Sequence, residues 1–308
     1  MKTTFKAFLK LTESNNLFEG GDATKKWETS RAKKEDIDIA IAFVSKATGI
    51  DRGTLKDNLL GSTRLVAIGE KADSGDIDIA IDINKYDSEE LNSKMLAATD
   101  NQAKLNKGLK IGSFAVPVGN KKKVQVDLVF VKNVEWAKFA YYSSEGKESK
   151  YKGATRNIIL STIISKIQTP GEDFVKRDEN DNVIAKATRS MRLTSGLERV
   201  FKVAPMRKDG KGRTKTLQKV DPERLKKELE SIDKSLINNF STDPDIKTNP
   251  DDVAKFIFGS KFKAKDIMTV EEILKNLHNL DKKLCDDIIE TVKIELKKAN
   301  LPIPSELD

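Results

Sequence analysis

The apolar residues of the chain follow two different periods. Residues 32–47 place Ile37, Ile41, Val44 and Ala47 at the spacing of a helix that buries one face. Residues 76–83 alternate strictly between isoleucine and either Asp or Ala. This alternation predicts a strand with its isoleucines on one face and its acidic residues on the other. The two patterns together predict a fold that mixes helices and strands.

Further patterns extend this prediction up to residue 168. Two more strands are predicted over 111–117 and 124–131, with a lysine-containing turn between them. Helices are predicted over 88–98 and about 154–168. We expect residues 1–168 to form one domain, since the pattern changes after Pro170-Gly171.

The sequence after residue 168 predicts two further parts of the fold. Residues 169–220 predict an extension made of a β-hairpin, which turns around 179–182, and a basic, glycine-containing loop over 205–219. Residues 221–308 predict a mostly helical C-terminal domain, with loops near 241–250 and 259–265.

Composition limits the chemistry that the chain can carry. Of 308 residues, 38% are hydrophobic, and Cys285 and His278 are the only cysteine and the only histidine. A disulfide framework and a histidine- or cysteine-rich metal site are therefore excluded. Any catalytic metal must bind carboxylates, which favours Mg²⁺ or Mn²⁺. The sequence shows neither a signal peptide nor a membrane span, and its single thiol suits a reducing compartment, so we expect a cytoplasmic protein.

Charge is distributed unevenly along the chain. Residues 228–308 hold 12 Lys and Arg against 17 Asp and Glu, a net charge of −5. Because the whole chain carries +8, residues 1–227 carry a net charge of +13. A basic body favours a polyanionic partner. A lysine-rich surface that keeps the protein soluble explains the same excess, and charge alone does not separate the two.

Three aspartates form the candidate catalytic and metal-binding group. Asp76 and Asp78 lie two residues apart on a predicted strand, so their carboxylates point into one small volume, which costs energy unless a cation neutralises them. Asp127, in the last predicted strand, can complete the set. Two divalent ions held roughly 3.5–4 Å apart can hold a triphosphate and stabilise the attacking and leaving oxygens of a phosphoryl transfer.

Residues 59–83 and 127 carry a spaced motif. Leu60, Gly61 and Ser62 are followed by a gap of 13 residues and then by Asp76-Ile77-Asp78-Ile79, while Asp127 follows 49 residues after Asp78. This motif resembles the signature of the DNA polymerase β-like nucleotidyltransferase superfamily. The compact, lysine-rich, low-cysteine chain is also similar in style to members encoded by bacteriophages.

The resemblance implies both a fold and a reaction. The fold is α+β, with a small mixed β-sheet forming a palm-like nucleotidyltransferase core, flanked by helices, in residues 1–168. The reaction moves a nucleoside monophosphate from an NTP to an acceptor hydroxyl and releases pyrophosphate. Asp76, Asp78 and Asp127 would bind two Mg²⁺ or Mn²⁺ ions, and Gly61 and Ser62 would contact phosphate.

The acceptor is less defined than the reaction. The basic body favours template-independent addition to a nucleic acid 3′ end, such as that of tRNA. Adenylylation of a protein or small molecule, synthesis of an oligonucleotide second messenger, and a catalytically inactive binding module remain alternatives. The sequence does not indicate the oligomeric state.

Several cationic and hydroxyl residues are candidates for contact with the nucleotide or with a nucleic acid. Phosphate contacts are expected from Thr63, Arg64, Lys150, Lys152 and Arg156, although surface ion pairs would explain the cations equally well. Nucleic-acid contacts are expected from the basic loop, at Arg207, Lys208, Lys211, Arg213 and Lys215, which a solvated loop would also explain. Trp136, Tyr141 and Tyr142 are candidates for base stacking, although packing explains them better.

A second segment imitates the motif. Gly20-Gly21 precedes Asp36-Ile37-Asp38-Ile39 by a similar gap, but Glu19 stands where the signature has an apolar residue. The second segment also has helical spacing, and residues i and i+2 of a helix diverge. We therefore expect Asp36 and Asp38 to be acidic residues near the start of a helix.

Overall fold

The computed structural model is a mixed α+β fold. It describes residues 23–106, 110–141, 149–151, 153–167, 174–177, 179–180, 183–192, 194–203, 215–216, 227, 230 and 247–307. Helices and strands alternate in the first half, and a second sheet follows. Lys227 and Glu230 are helical, and helices with described bounds resume at residue 250.

Nine α-helices have both ends within the described residues. They are α1 Lys34–Thr48, α2 Arg52–Asp57, α3 Gly61–Ala67, α4 Ser88–Ala98, α5 Val134–Ala140, α6 Gly153–Lys166, α7 Pro250–Phe258, α8 Val270–Asn276 and α9 Lys282–Lys298. Short 3₁₀ helices span Lys25–Trp27, Ala264–Ile267, Leu277–Asn279 and Ser305–Leu307. The helices predicted over 32–47, 88–98 and 154–168 are confirmed as α1, α4 and α6. Within the described part of the chain, no helix has both the length and the apolar character needed to cross a bilayer.

The first sheet is small and mixed. Its strands are β1 Ile77–Asp82, β2 Ala103–Asn106, β3 Ile111–Pro117 and β4 Lys123–Val131, in the order β1-β4-β3-β2. β1 runs parallel to β4, and the other two pairings are antiparallel. The strands predicted over 76–83, 111–117 and 124–131 are therefore confirmed. The parallel pair is the feature that matters for the site, since it brings together segments about 50 residues apart.

The outer edge of β1 is covered by the chain that leads into α3. Leu60 N donates to Asp78 O at 3.0 Å, and Ala80 N donates to Asn58 O at 2.9 Å. The Asn58 side chain also donates to Ala80 O at 3.0 Å. These bonds satisfy the edge of the sheet and fix the start of α3 beside Asp78.

The second sheet is an antiparallel meander. Its strands are β5 Phe174–Arg177, β6 Val183–Arg192, β7 Gly196–Val203 and β8 Lys215–Thr216, paired in chain order. The hairpin predicted around 179–182 is confirmed by the β5–β6 pairing. The prediction of a loop over the whole of 205–219 is wrong for Lys215 and Thr216, which pair with Val203 and Lys202. A two-residue strand is too short to show a hydrophobic period, so β8 can be recognised only from its pairing with β7.

The sheet with the aspartates and the helical part each have a large apolar core of their own. Ile77, Ile79 and Ile81 pack with α1 and with the inner faces of β3 and β4. α5 and α6 pack instead with α7, α8 and α9 in a second core. Packing therefore does not follow the boundary expected at residue 168, because α6 shares a core with helices beyond residue 250. The three-part division of the chain stays a prediction.

Candidate metal centre

Three carboxylates meet where β1 lies beside β4. Asp78 is the direct register partner of Asp127 across the parallel pair. Asp76 immediately precedes β1, two residues before Asp78, and one carboxylate oxygen from each of the three lies within 4.8 Å of the others. The grouping expected from the sequence is therefore present, and it could hold a metal ion.

The electrostatics of the group favour a cation. Asp76 is 4% exposed and Asp127 is 7% exposed, while Asp78 is half-buried. Burial and the neighbouring charge of Asp76 raise the pKa of Asp127 to about 7, although hydrogen bonds from Ser113 and Gln125 oppose this rise. A divalent ion would offset both causes, because it stabilises the ionised form of a buried carboxylate and neutralises the repulsion from Asp76. The three side chains offer only carboxylate oxygens, which hard ions prefer and soft metals do not.

The orientation of Asp127 is set by its neighbours in the sheet. Gln125 Nε2 donates to Asp127 Oδ1 at 2.9 Å. Ser113 is the register partner of Asp127 on β3, and its hydroxyl lowers the pKa of the Asp127 carboxyl. Sequence analysis missed both residues. The one available signal was that Gln125 lies two residues before Asp127 and so shares its face of β4.

Thr63 has a structural role that differs from the one expected. Its side chain is fully buried. Thr63 Oγ1 donates to Asp76 O at 3.1 Å and accepts a bond from Asp78 N at 3.0 Å. The hydroxyl thus holds the backbone of β1 at the two aspartates, and the expected phosphate contact does not fit this geometry.

Gly61 lies next to the carboxylate of Asp78. Gly61 has a φ of +51°, and a Cβ built there would be 3.3 Å from Tyr141 O and 4.0 Å from Asp78 Oδ2. Glycine permits both this backbone conformation and this close approach. The Ser62 and Ser74 hydroxyls are hydrogen-bonded to each other. Gly61 therefore lies beside one of the three aspartates, and the phosphate contacts expected for Gly61 and Ser62 stay predictions.

Tyr141 also belongs to the centre. Burial raises its pKa well above the usual value, and the charges of Asp78, Asp127 and Asp76 add to the effect. Its ring packs with the cluster of Leu60, Ala80, Val129, Val131 and Ala137, on the face of the sheet that carries the aspartates. Tyr141 is therefore packed against apolar side chains, which is the role that the sequence favoured for it. Trp136 is likewise in the core and donates its ring N–H to Arg192 O at 2.7 Å.

Arg156 is held in the protein interior. It is 1% exposed, and its guanidinium donates to Ile267 O at 3.0 Å and to Phe139 O at 3.1 Å. The neighbouring Asn157 donates to Ala140 O at 2.8 Å. α6 thereby fixes the end of α5 that leads into Tyr141. The phosphate contact expected for Arg156 does not fit this structure, because tertiary packing covers a side chain that the sequence places at a helix start.

The other expected cations are only partly described. Lys150 Nζ lies 2.6 Å from Glu306 Oε1, in an exposed ion pair. Arg64 is half-buried on α3, and Lys215 lies in β8. Tyr142 and the remaining expected phosphate and nucleic-acid contacts lie outside the described residues, at Lys152, Arg207, Lys208, Lys211 and Arg213.

The segment that imitates the motif is helical, as expected. Asp36 Oδ2 accepts a bond from Lys33 N at 2.7 Å, at the start of α1, and forms an ion pair with Lys122. Asp38 pairs with Lys56 on α2 at 2.8 Å. The two carboxylates thus have separate cationic partners and do not form a shared site.

Known proteins give no further information about this centre. Comparisons with protein-family models, with curated proteins and with solved structures find no significant match to this chain. The chemistry of the centre therefore has to be inferred from its own residues.

Proposed function

We propose that the protein is a metal-dependent nucleotidyltransferase with a palm-like core. It would move a nucleoside monophosphate from an NTP to an acceptor hydroxyl and release pyrophosphate. The observation that supports this most strongly is the meeting of Asp76, Asp78 and Asp127 on one face of a parallel strand pair, with one oxygen from each within 4.8 Å of the others.

The surroundings of the three aspartates fit such a role. Gly61 brings the backbone close to Asp78, so a triphosphate could approach main-chain N–H groups beside the carboxylates. Bound divalent ions would supply charge neutralisation for the phosphates. Asp127, whose pKa is raised by burial and by Asp76, is the chain's own candidate for taking a proton from the acceptor hydroxyl.

The charge around the centre supports a polyanionic acceptor, such as a nucleic acid 3′ end. Asp73 lies three residues before Asp76, and its pKa is lowered by a hydrogen bond from Arg31 and by the charges of Arg31, Lys71 and Lys33. These cations belong to a body that carries an excess of positive charge. The phosphates of an incoming strand would be attracted by this excess of positive charge.

Transfer of labelled nucleotide would test the proposal. The full chain is incubated with Mg²⁺, each labelled NTP in turn, and total RNA or cell lysate. Label on RNA, lost in the variant that combines Asp76→Ala and Asp78→Ala, is the expected result. Asp82→Asn is the matched control, because Asp82 is on the same strand but bonds to Asn84 at 2.9 Å and not to the centre. This control is expected to transfer label like the wild type.

Other outcomes would assign the centre to other acceptors. Label on protein would indicate adenylylation, and free labelled oligonucleotides would indicate synthesis of a second messenger. NTP binding with no transfer to any acceptor would overturn the enzymatic assignment and indicate a binding module. Transfer that persists without Asp76 and Asp78 would show that the reaction occurs elsewhere in the chain.

A further inference from the structure

A chain of buried hydrogen bonds links the N-terminal part of the described structure to the metal centre. Gln125 Oε1 accepts from Thr24 N at 3.0 Å and from Thr24 Oγ1 at 2.9 Å. At its other end, Gln125 Nε2 donates to Asp127 Oδ1 at 2.9 Å. Thr24 and Gln125 are both fully buried, so water does not compete for these bonds.

This network determines which end of the Gln125 amide faces the centre. Thr24 offers two donors, and only the amide oxygen can accept them. An ionised carboxylate offers only acceptors, so it requires the amide NH₂. A reversed amide would place Oε1 against Asp127 Oδ1 and the NH₂ against two donors. The three bonds are therefore satisfied together in one orientation.

The anchor of this network is itself fixed to the sheet. Thr29 forms a parallel bridge with Lys123, and Ser30 N donates to Lys123 O at 2.9 Å. Lys123 lies two residues before Gln125 on β4. Thr24 and Thr29 are also joined through their hydroxyls at 3.1 Å. Residues 24–30 thus lie against the start of β4, which holds Thr24 over Gln125.

The consequence for Asp127 is a fixed carboxylate plane. Gln125 Nε2 donates to Oδ1, and Ser113 lies opposite Asp127 on β3. Groups that bond to metal ligands orient them, and their loss commonly weakens metal binding. Gln125 reaches the centre only through Asp127, so its effect is on geometry.

We infer that Gln125, anchored by Thr24, is a positioning residue that sets the orientation of Asp127 for divalent cation binding. This inference rests on the metal centre of the proposed function. It adds a requirement that the three aspartates alone do not contain, namely that residues 24–30 be docked on β4 for the centre to bind its ion with full affinity.

Binding of Mn²⁺ to variants of the full chain tests this inference. Gln125→Met keeps the length of the side chain and removes its polar atoms, so Mn²⁺ affinity should fall by roughly 10- to 100-fold. Thr24→Val leaves one of the two donors that orient the amide and should have a smaller effect in the same direction. Thr24→Ser keeps both donors and should bind Mn²⁺ with wild-type affinity. Electron paramagnetic resonance of free Mn²⁺ gives the affinities, and thermal unfolding of each variant shows that binding was measured on folded protein.

Gln102→Met is the matched control. Gln102 Oε1 accepts a bond from Lys123 Nζ at 2.8 Å and does not belong to the network, so Mn²⁺ affinity should not change. Folded Gln125→Met protein with wild-type Mn²⁺ affinity would overturn the inference and leave the metal centre standing. A wild-type protein that binds no Mn²⁺ would overturn both the centre and the inference.

Discussion

The same six residues, Asp-Ile-Asp-Ile-Ala-Ile, occur twice in this chain and form two different structures. Residues 36–41 lie in helix α1, and residues 76–81 lie at the start of and along strand β1. In the helix, burial follows the helical period, with Ile37, Ala40 and Ile41 inside and Ile39 46% exposed. In the strand, all three isoleucines are buried. The hexapeptide therefore does not determine its own conformation.

The flanking residues account for the helical copy. Apolar positions continue at the helical spacing through Val44, and Gly49 ends the helix with a φ of 82°. Asp36 lies at the third helical position and accepts the bond from Lys33 N at the helix start.

The strand copy has different support. Its alternation continues through Asp82 and Ile83, and β4 pairs with it over its whole length. Two aspartates at i and i+2 therefore form a shared site only on the extended backbone, where both side chains point the same way. The two copies also supply matched controls for each other.

The largest difference is expected in catalysis. Asp78→Asn removes a carboxylate from the centre, so nucleotide transfer should fall by roughly a thousand-fold or more, which corresponds to the several kcal/mol of transition-state stabilisation that bound ions supply. Asp38→Asn removes only the exposed pair with Lys56 and should transfer at the wild-type rate. A radiolabel transfer assay measures both. Equal loss in the two variants would contradict the assignment of the strand copy as the site.

Stability should differ strongly at the fourth position of the hexapeptide. Ile79 is fully buried, so Ile79→Ala should lower the free energy of unfolding by about 2–5 kcal/mol. Ile39→Ala, at the exposed helical position, should change it by about 0.5 kcal/mol or less. Urea denaturation gives both values. Similar losses at the two positions would mean that the copies do not differ in burial.

Replacing the threonine that supports each copy is expected to have a smaller effect on stability. Thr63→Val leaves Asp78 N without its acceptor, so the free energy of unfolding should fall by about 1–3 kcal/mol, and Mn²⁺ affinity should fall with it. Thr48 donates to Val44 O at 2.7 Å and accepts from Ile50 N at 3.2 Å at the end of α1. Thr48→Val should lower stability and leave Mn²⁺ affinity unchanged. If both variants changed Mn²⁺ affinity equally, Thr63 would have no particular connection with the centre.

The smallest expected effect on metal binding is its dependence on pH. The pKa of Asp127 is raised to about 7, so below that pH a cation must displace a proton. Apparent Mn²⁺ affinity should therefore rise roughly tenfold between pH 6 and pH 8. An unfolded aspartate has a pKa of about 3.9, so the metal-free native state binds the extra proton between about pH 4 and pH 7. The contribution of this group to stability is thus present below pH 4 and is lost as pH rises to about 7.

Asp127→Asn should remove this loss of stability with rising pH, whereas Asp36→Asn should retain it. Thermal unfolding of the metal-free variants across the pH range measures the difference. An unchanged pH profile in Asp127→Asn would assign the titration to another group.

Much of the first half of the chain could be predicted from the sequence. The periods around the two copies of the hexapeptide predict one helix and one strand, and the spacing of the motif identifies the three aspartates. The buried roles of Thr63 and Arg156 could not be predicted, because a hydroxyl or guanidinium near a motif looks the same whether it faces a ligand or a backbone carbonyl. β8 was missed because two residues carry no periodicity.

The sequence by itself determined where the backbone is helical or extended around the two copies, since periodicity and end signals act over a few neighbouring residues. Only the tertiary structure decided how the three predicted carboxylates are brought together and how they are held. Asp78 meets Asp127 through the pairing of β1 with β4, and Asp127 is oriented through Gln125 by Thr24, 101 residues from that glutamine along the chain. Such contacts depend on how the elements pack, and packing joins residues that no local pattern connects.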